Sequence, residues 1–145
     1  MKKTHNNPNF NKTDFKKRDE LVEICPFCNL TPKVELICET ATAVAFLDGY
    51  PVSQGHTLII PKRHVANYFD LTTNEQNALW LMVNRCKKIL TKRYNPDGFN
   101  IGINVGETAG QTIFHVHIHL IPRYKGDVDN PKGGVRGVIP NKQKY

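Results

Sequence analysis

The stretch "FHVHIHLIPR", residues 114–123, decides how this chain folds and what chemistry it carries. Histidine occupies positions 115, 117 and 119, and each residue between them is apolar. Side chains of a β-strand alternate between the two faces of a sheet, so this spacing predicts a strand with three imidazoles on one face and an apolar set on the other. Histidine is not among the residues that strands favour, so the pattern needs a chemical explanation as well.

The residues around this strand predict an α+β domain. Alternating apolar residues at 99–105 predict an antiparallel partner strand. "TATAVAFLDGYPV" predicts a strand that ends in a turn at Asp48-Gly49, and "GHTLIIPKRH" predicts another that stops at Pro61. Between them, residues 71–94 have the pattern of a long helix, in which Thr72 and Glu75 form a capping box. The helix has one apolar stripe, made of Leu79, Met82, Val83, Cys86, Ile89 and Leu90. We therefore expect a mainly antiparallel sheet with this helix packed across it.

Length and charge limit the function classes. A chain of 145 residues makes one domain, which we expect at 21–127, after a polar, disordered segment at 1–20 and before a tail at 128–145. The net charge is +7, and the excess lies in the tails: six Lys/Arg against three Asp/Glu at 1–20, and six against two at 123–145. Because residues 21–122 hold eight of each sign, a dedicated nucleic-acid surface on the folded domain is disfavoured.

The compartment follows from what the sequence lacks. No run of apolar residues is long enough to cross a membrane, and the polar N-terminus does not have the pattern of a secretory signal. We therefore expect a cytoplasmic protein whose four cysteines do not form disulfides. The motif "CPFC", with Cys25 and Cys28, has zinc-ligand spacing; redox chemistry is the alternative, although no βαβ pattern supports it.

Three interpretations of the histidine strand are open. The histidines could occupy a polar face of the sheet without a chemical role. Alternatively, they could bind one zinc ion together, or they could act directly on phosphorus as nucleophile and proton donor. The loop "GETAGQT" at 106–112 favours the last, because Gly106 and Gly110 let backbone amides approach a phosphate closely. Gln111 and Thr112 add polar donors to that loop.

The segment "AGQTIFHVHIHLIPR" resembles the signature of the histidine triad hydrolases, in which three histidines alternate with apolar residues. "FLDGYPVSQGHTLIIPKRH" (46–64) and "NVGETAGQ" (104–111) resemble the other landmarks of that family, and the likeness covers roughly residues 24–127 in order. The resemblance implies an α+β protomer, usually a homodimer with a sheet that continues across the interface.

The resemblance also implies roles for single residues. His117 corresponds to the nucleophile that attacks the α-phosphorus of a nucleotide, and His119 to the histidine beside the leaving group. A related nucleotidyltransferase branch has glutamine at the latter position, so His119 argues for hydrolysis. The implied substrate contacts are Asp48 for the ribose, Asn104, Gln111 and Thr112 around the phosphate and leaving group, and Phe27, Phe46 and Leu47 for the base; core packing is the alternative for these last three.

The family resemblance extends to a metal. Some members bind structural zinc through two cysteines and two histidines, which correspond here to Cys25, Cys28, His64 and His115. His115 would then be structural, while the other two triad histidines perform the chemistry. His56, in "GHT", fits the family's pattern as a structural residue rather than a catalytic one.

The leading functional hypothesis is hydrolysis of dinucleoside polyphosphates, because "HLIPRYKGD" (119–127) resembles the branch that cleaves them. Cleavage of nucleoside phosphoramidates by the same histidine, a non-catalytic nucleotide-binding module, and a hydrolase with zinc bound by the triad are the alternatives. We expect the glycine-containing tail to be a loop packed near the active site or a dimer partner, with Arg136 as a candidate substrate contact.

Overall fold

The computed structural model describes residues 12–145, with side chains from residue 16 onward. The strands are β1 (Leu36–Glu39), β2 (Ala43–Leu47), β3 (Thr57–Pro61), β4 (Gly98–Gly102) and β5 (Ile118–Arg123), and the helices are α1 (Lys12–Ile24) and α2 (Thr73–Tyr94). Short 3₁₀ turns lie at Tyr68–Asp70, Glu107–Ala109, Gly134–Val138 and Pro140–Lys142. All strand pairs are antiparallel, in the order β1-β2-β3-β5-β4, which confirms the predicted α+β fold.

The histidine strand is shorter than its sequence pattern predicts. β5 begins at Ile118 and pairs with β3 on one side and β4 on the other, where Gly102 faces His119. The prediction of a strand through all three histidines is therefore wrong at its start. The preceding residues turn away from the ladder because the backbone N–H of Val116 donates to the carbonyl of Val65, 2.7 Å away, in the connection that follows β3.

The alternation of faces nevertheless continues through this segment. Val116, Ile118 and Leu120 are buried on the helix-covered side, as the pattern predicts. Phe114 was predicted to join them, but it is 51% exposed because the chain bends at residues 113–115, before the sheet begins.

The long helix α2 forms as its sequence predicts. The Thr72 side chain accepts the N–H of Glu75 at 3.1 Å, and the Glu75 carboxylate accepts the N–H of Thr72 at 3.0 Å, which completes the capping box. The helix ends at Asn95, whose left-handed backbone (φ 49°) precedes Pro96. Its buried residues are Leu79, Met82, Val83, Cys86 and Leu90; Ile89 is only partly buried.

The two faces of the sheet have different covers, and this difference positions the site. The α2 side holds the larger core, with Ala43, Ala45, Ile59, Ile118 and Leu120 from the strands. The opposite side holds a smaller cluster, Val44, Phe46, Leu58 and Ile60, against which Phe27, Leu30 and Val34 pack. Among the described residues, a loop and not a helix packs on this second face, and the side chains of the histidine segment line a cavity there.

The N-terminal segment is only partly described. Residues 1–11 of the predicted disordered stretch lie outside the described residues, whereas residues 12–20 belong to α1. The side chains at 16–24 are all exposed, so this helix rests on the propensity of its Lys, Arg, Glu and Leu residues and not on burial. Within residues 12–145, no helix is long and apolar enough to span a bilayer. The domain boundaries remain a prediction.

Replacing Thr72 with alanine should lower the free energy of unfolding by about 1 kcal/mol, because the N–H of Glu75 loses its acceptor. Thr73→Ala, one position into the helix on an exposed side chain, is the control and should change stability by less than about 0.5 kcal/mol. Urea unfolding followed by circular dichroism measures both, and equal losses would contradict a role for the capping box.

Candidate functional site

The His117 side chain is held by its own backbone. Its ring Nδ1 lies 2.8 Å from the carbonyl oxygen of His115. Because a carbonyl oxygen can only accept, Nδ1 carries the proton and donates it, and the lone pair of the neutral ring lies on Nε2. The side chain is 7% exposed, and the edge of the Phe27 ring packs against it with centroids 5.2 Å apart. The ring of His117 is thus oriented, and in its neutral form Nε2 is the nitrogen that can act as a nucleophile.

His119 is the partner of His117, with ring centroids 5.0 Å apart. Its Nδ1 lies 3.0 Å from Nε2 of His56. The backbone N–H of Val52 donates to Nδ1 of His56 at 3.1 Å, so the proton of the His56 ring is on Nε2. His56 therefore donates to His119, whose own proton lies on Nε2. One backbone amide thus determines the tautomers of two histidines.

The surroundings lower the pKa of both the His119 and the His56 ring. Burial is the main cause that lowers the pKa of His119 to about 4; the nearby His117 and His56 rings act in the same direction, and Asp48 acts in the opposite one. Burial also lowers the pKa of His56, although an Asp48 carboxylate oxygen lies 3.4 Å from its Nε2. At neutral pH His119 is an uncharged ring that can donate one hydrogen bond from Nε2.

Most of the predicted substrate contacts surround one cavity of about 750 Å³ between the 26–35 segment and the sheet. It is lined by Phe27, Phe46, Leu47, Asp48, Thr112, His117 and His119. One Asp48 carboxylate oxygen accepts the N–H of Tyr50 at 2.9 Å. The walls are thus apolar at one end and polar around the histidines, as small-molecule sites usually are.

Three predicted contacts lie elsewhere. Asn104 lines a neighbouring cavity, which His119 also lines. Gly110 ends the 3₁₀ turn with a left-handed backbone (φ 91°), a conformation that glycine adopts without strain. Gln111 is buried, and its amide is fully engaged: it accepts the N–H of Gly106 at 2.9 Å and donates to the carbonyl of Ala66 at 2.8 Å. In this structure the Gln111 side chain therefore stabilises the 106–112 loop and does not face the cavity.

The cysteine motif and two histidines meet at one corner of the site. Nδ1 of His115 lies 3.5 Å from Sγ of both Cys25 and Cys28, and Nδ1 of His64 lies 3.2 Å from Sγ of Cys28. Tetrahedral angles and ordinary zinc bond lengths give a sulfur–nitrogen separation of about 3.6 Å. These four residues form a cluster that could hold a metal ion.

The hydrogen bonds and pKa shifts of these residues also fit a site that could hold a metal ion. Nε2 of His115 donates to the carbonyl of Pro61 at 2.7 Å, which leaves the Nδ1 lone pair facing the thiols, as an outer hydrogen bond does for a metal-bound histidine. Burial lowers the pKa of His115, and burial with the Cys25 thiol raises that of Cys28 to about 11. A bound cation would therefore displace a thiol proton, so binding should weaken in acid.

A zinc ion held by all three triad histidines does not fit this arrangement. Among the described residues, His115 belongs to the cysteine cluster and His119 to a second cluster with Asp48 and His56, and His117 belongs to neither. The second cluster is a poor metal site in turn, because Nε2 of His56, the atom that faces the other two residues, carries a proton. The arrangement of the described residues thus does not support the alternative of a triad-bound catalytic zinc.

The contact of His56 with His119 is not predicted by the sequence pattern, which indicates only a structural role for His56. The signal was weak, because the two residues are 63 positions apart and meet only through the pairing of β3 with β5. Leu58, two residues after His56, pairs with His119, which brings the two histidines to the same face.

Comparison with known proteins identifies relatives of this chain. The family model described as HIT domain matches residues 31–126. The chain is 42% identical to a bis(5'-adenosyl)-triphosphatase of Dictyostelium discoideum, over 66% of this chain and 64% of that protein. It is 39% identical to an asymmetrical bis(5'-nucleosyl)-tetraphosphatase of Schizosaccharomyces pombe, over 64% of this chain and 51% of that protein. The match thus spans less than two thirds of either relative.

The fold has solved counterparts as well. A Zn-bound histidine triad family protein from Mycobacterium smegmatis superimposes with a TM-score of 0.68 at 33% identity, over 73% of this chain and 79% of that one.

We expect the purified protein to contain about one zinc per chain, and Cys28→Ser to lose most of it because a hydroxyl is a much weaker ligand than a thiolate. Cys38→Ser is the matched control, since Cys38 lies on β1, outside the cluster. Elemental analysis after purification without added metal measures both. Well under half an equivalent in the wild type would contradict the assignment.

We also expect the stability of the protein to depend on pH through His119. Its pKa is about 4 in the folded state and about 6.5 in an unfolded chain, so between these values the unfolded state binds more protons and stability rises with pH. His119→Asn, which can still accept from His56, should flatten this rise. Urea unfolding at several pH values from 4.5 to 7.5, at one fixed zinc concentration, tests the expectation. Parallel curves for the two proteins would refute it.

Proposed function

The chain belongs to the HIT domain family, and we propose that it is a hydrolase that cleaves dinucleoside polyphosphates at the α-phosphate. The names of two relatives, a bis(5'-adenosyl)-triphosphatase and a bis(5'-nucleosyl)-tetraphosphatase, support this substrate class. The observation that carries the proposal is the hydrogen bond from Nδ1 of His117 to the His115 carbonyl, because it orients the ring and makes Nε2 the nitrogen that carries the lone pair in the neutral form.

In the proposed reaction, Nε2 of His117 attacks the α-phosphorus, and the bond from phosphorus to the bridging oxygen breaks. The electron pair of that bond leaves with the remaining polyphosphate. Nε2–H of His119 donates a hydrogen bond to the departing oxygen, where negative charge develops. Water then attacks the phosphorus of the nucleotidyl-histidine, the bond to Nε2 breaks, and its electron pair returns to His117 as the neutral ring. The attacking water loses a proton to solvent, and a nucleoside monophosphate is released.

The low pKa of His119 bears on the choice between the two leaving groups. A polyphosphate leaves as an anion, so a neutral ring that donates one hydrogen bond is sufficient. An amine must receive a proton before it can leave, and a neutral imidazole is a weak acid. The low pKa of His119 is thus consistent with a polyphosphate leaving group, and the phosphoramidate stays the alternative that the product analysis below tests.

We propose further roles for the surrounding residues. Phe27, Phe46 and Leu47 would bind the base, and the Asp48 carboxylate would accept from the ribose hydroxyls while it supports His56. Zinc at Cys25, Cys28, His64 and His115 would be structural, since it would hold the residue whose carbonyl orients His117. By resemblance to the family we also propose a homodimer.

The test is a product analysis of the zinc-loaded protein with diadenosine tetraphosphate, diadenosine triphosphate and adenosine phosphoramidate. We expect release of AMP from the polyphosphates, and a loss on the order of 10⁴-fold or more in kcat for His117→Ala, because removing a nucleophile abolishes the covalent route. Zinc content and unfolding midpoint equal to wild type are the controls for the variant.

Other outcomes would redirect the proposal. Release from the phosphoramidate alone would assign the protein to that reaction with the same nucleophile. Binding of nucleotide without any product, or equal activity in wild type and His117→Ala, would leave a nucleotide-binding module and refute the hydrolase.

A further inference from the structure

Phe27 connects the candidate metal cluster to the cavity of the proposed nucleotide site. The cluster consists of Cys25, Cys28, His64 and His115. Phe27 stands between the two cysteines in the motif "CPFC", so its backbone is tied to two of the four ligands. Its ring lines the cavity that His117 also lines. One residue thus belongs to both the segment that holds the cysteine ligands and the wall of the nucleotide site.

The Phe27 ring packs against three other rings. The distances from its centroid are 5.2 Å to His117, 5.5 Å to Phe46 and 6.0 Å to His115, and the interplanar angles lie between 66° and 79°. Edge-to-face contacts of this kind depend on the position and the tilt of the ring. A displaced Phe27 would therefore remove one wall of the base pocket and one contact that holds the His117 ring.

The segment that carries Phe27, residues 26–35, is anchored at its far end without a metal. The backbone N–H of Leu47 donates to the carbonyl of Glu35 at 2.9 Å. The Arg93 guanidinium donates to the Glu35 carboxylate at 2.7 Å. Since Leu47 ends β2 and Arg93 belongs to α2, these bonds fix residue 35 relative to the sheet and the long helix.

The near end of the segment, residues 25–29, has no such bond among the described residues. The Asn29 amide donates to three carbonyls between residues 22 and 25, at 2.8, 2.9 and 3.2 Å, and the N–H of Cys25 donates within the same stretch. The polar contacts from residues 25–29 to the remainder of the described fold are those of the two thiols with His64 and His115. A metal ion on these ligands would therefore be the polar link that fixes Phe27 over the sheet.

The 26–35 segment also separates two cavities. A cavity of about 800 Å³, lined by Cys28 and His64 but not by His117, lies on its other side. The residues that line both cavities are Phe27, Leu30, Thr31 and Val34. Cys28 and His64 are partly exposed, whereas the other two ligands are buried. A chelator can therefore reach the metal cluster without entering the nucleotide site.

We propose that Phe27 is a positioning residue through which a metal ion on the cluster and the base of a bound nucleotide stabilise each other. Metal-bound cysteines would hold Phe27 against Phe46 and His117, and a base packed on Phe27 would hold the motif closed around the metal. Such a linkage is reciprocal, so a nucleotide that prefers the metal-loaded protein must also strengthen metal binding. This inference rests on the proposed function, because it assumes that a base packs on Phe27.

The test measures the rate at which the zinc-loaded full chain loses zinc to an excess of a coloured chelator, with and without AMP. AMP is the product of the proposed reaction, so no turnover occurs during the measurement. We expect saturating AMP to slow zinc loss about tenfold, because coupled sites typically change each other's affinity by about 5- to 150-fold and most such changes lie in the dissociation rate. Ribose 5-phosphate is the control ligand, because it has the same sugar and phosphate without the base. It should change the rate by less than about twofold.

Phe27→Ala should reduce the effect of AMP to less than about twofold, at an AMP concentration that calorimetry shows to be saturating for the variant. Leu30→Ala is the matched control, because Leu30 lines the same two cavities but lies outside the cysteine motif. It should weaken AMP binding and still show the full slowing of zinc loss once AMP is saturating.

The outcomes separate the linkage from the proposed function. An unchanged rate of zinc loss while calorimetry shows AMP bound, or equal slowing by AMP and ribose 5-phosphate, would overturn the linkage while the proposed function stands, and neither result requires a variant. Equal slowing in Phe27→Ala and in the wild type would overturn the role of Phe27. If AMP does not bind at all, the proposed function and the linkage fail together.

Discussion

The site depends on one short hydrogen bond, from Nδ1 of His117 to the carbonyl of the residue two positions earlier. That residue, His115, also directs its own ring nitrogen at two cysteine thiols. The side chain of His115 therefore belongs to the candidate metal cluster, and its carbonyl orients His117, the proposed nucleophile. A shift of His115 would move both its ring in the cluster and the carbonyl that holds His117. The positions of the candidate metal site and of the His117 ring are therefore coupled.

A ligand can reach these histidines because the two faces of the sheet are covered differently. One face is packed under α2, whose stripe of buried residues makes a rigid support. In the part of the chain that the structure describes, the 26–35 segment packs on the other face and leaves room for a ligand beside the histidines. Rigid strands thus hold reactive groups at the edge of a loop-covered cavity, which keeps their positions fixed while a substrate enters.

The fold could be predicted from sequence wherever one local pattern determines the structure. The alternation in 114–123, the capping box at Thr72 and the stripe on α2 each need only their own segment. The start of β5 could not be predicted, because it depends on a hydrogen bond between Val116 and Val65. The contact of His56 with His119 and the inward turn of the Gln111 amide likewise arise from strand pairing and loop closure, which no local pattern records.

The separation of the metal-cluster residues along the chain bears on how the protein is made. Cys25 and His115 are 90 positions apart, and Cys28 and His64 are 36 apart. During synthesis the two thiols emerge well before either histidine, so the nascent chain presents a bare cysteine pair until the segment before β5 has been added. Closing so long a loop costs chain entropy, and contacts of this range form late in folding. All four ligands would therefore come together only in a chain whose sheet has already assembled.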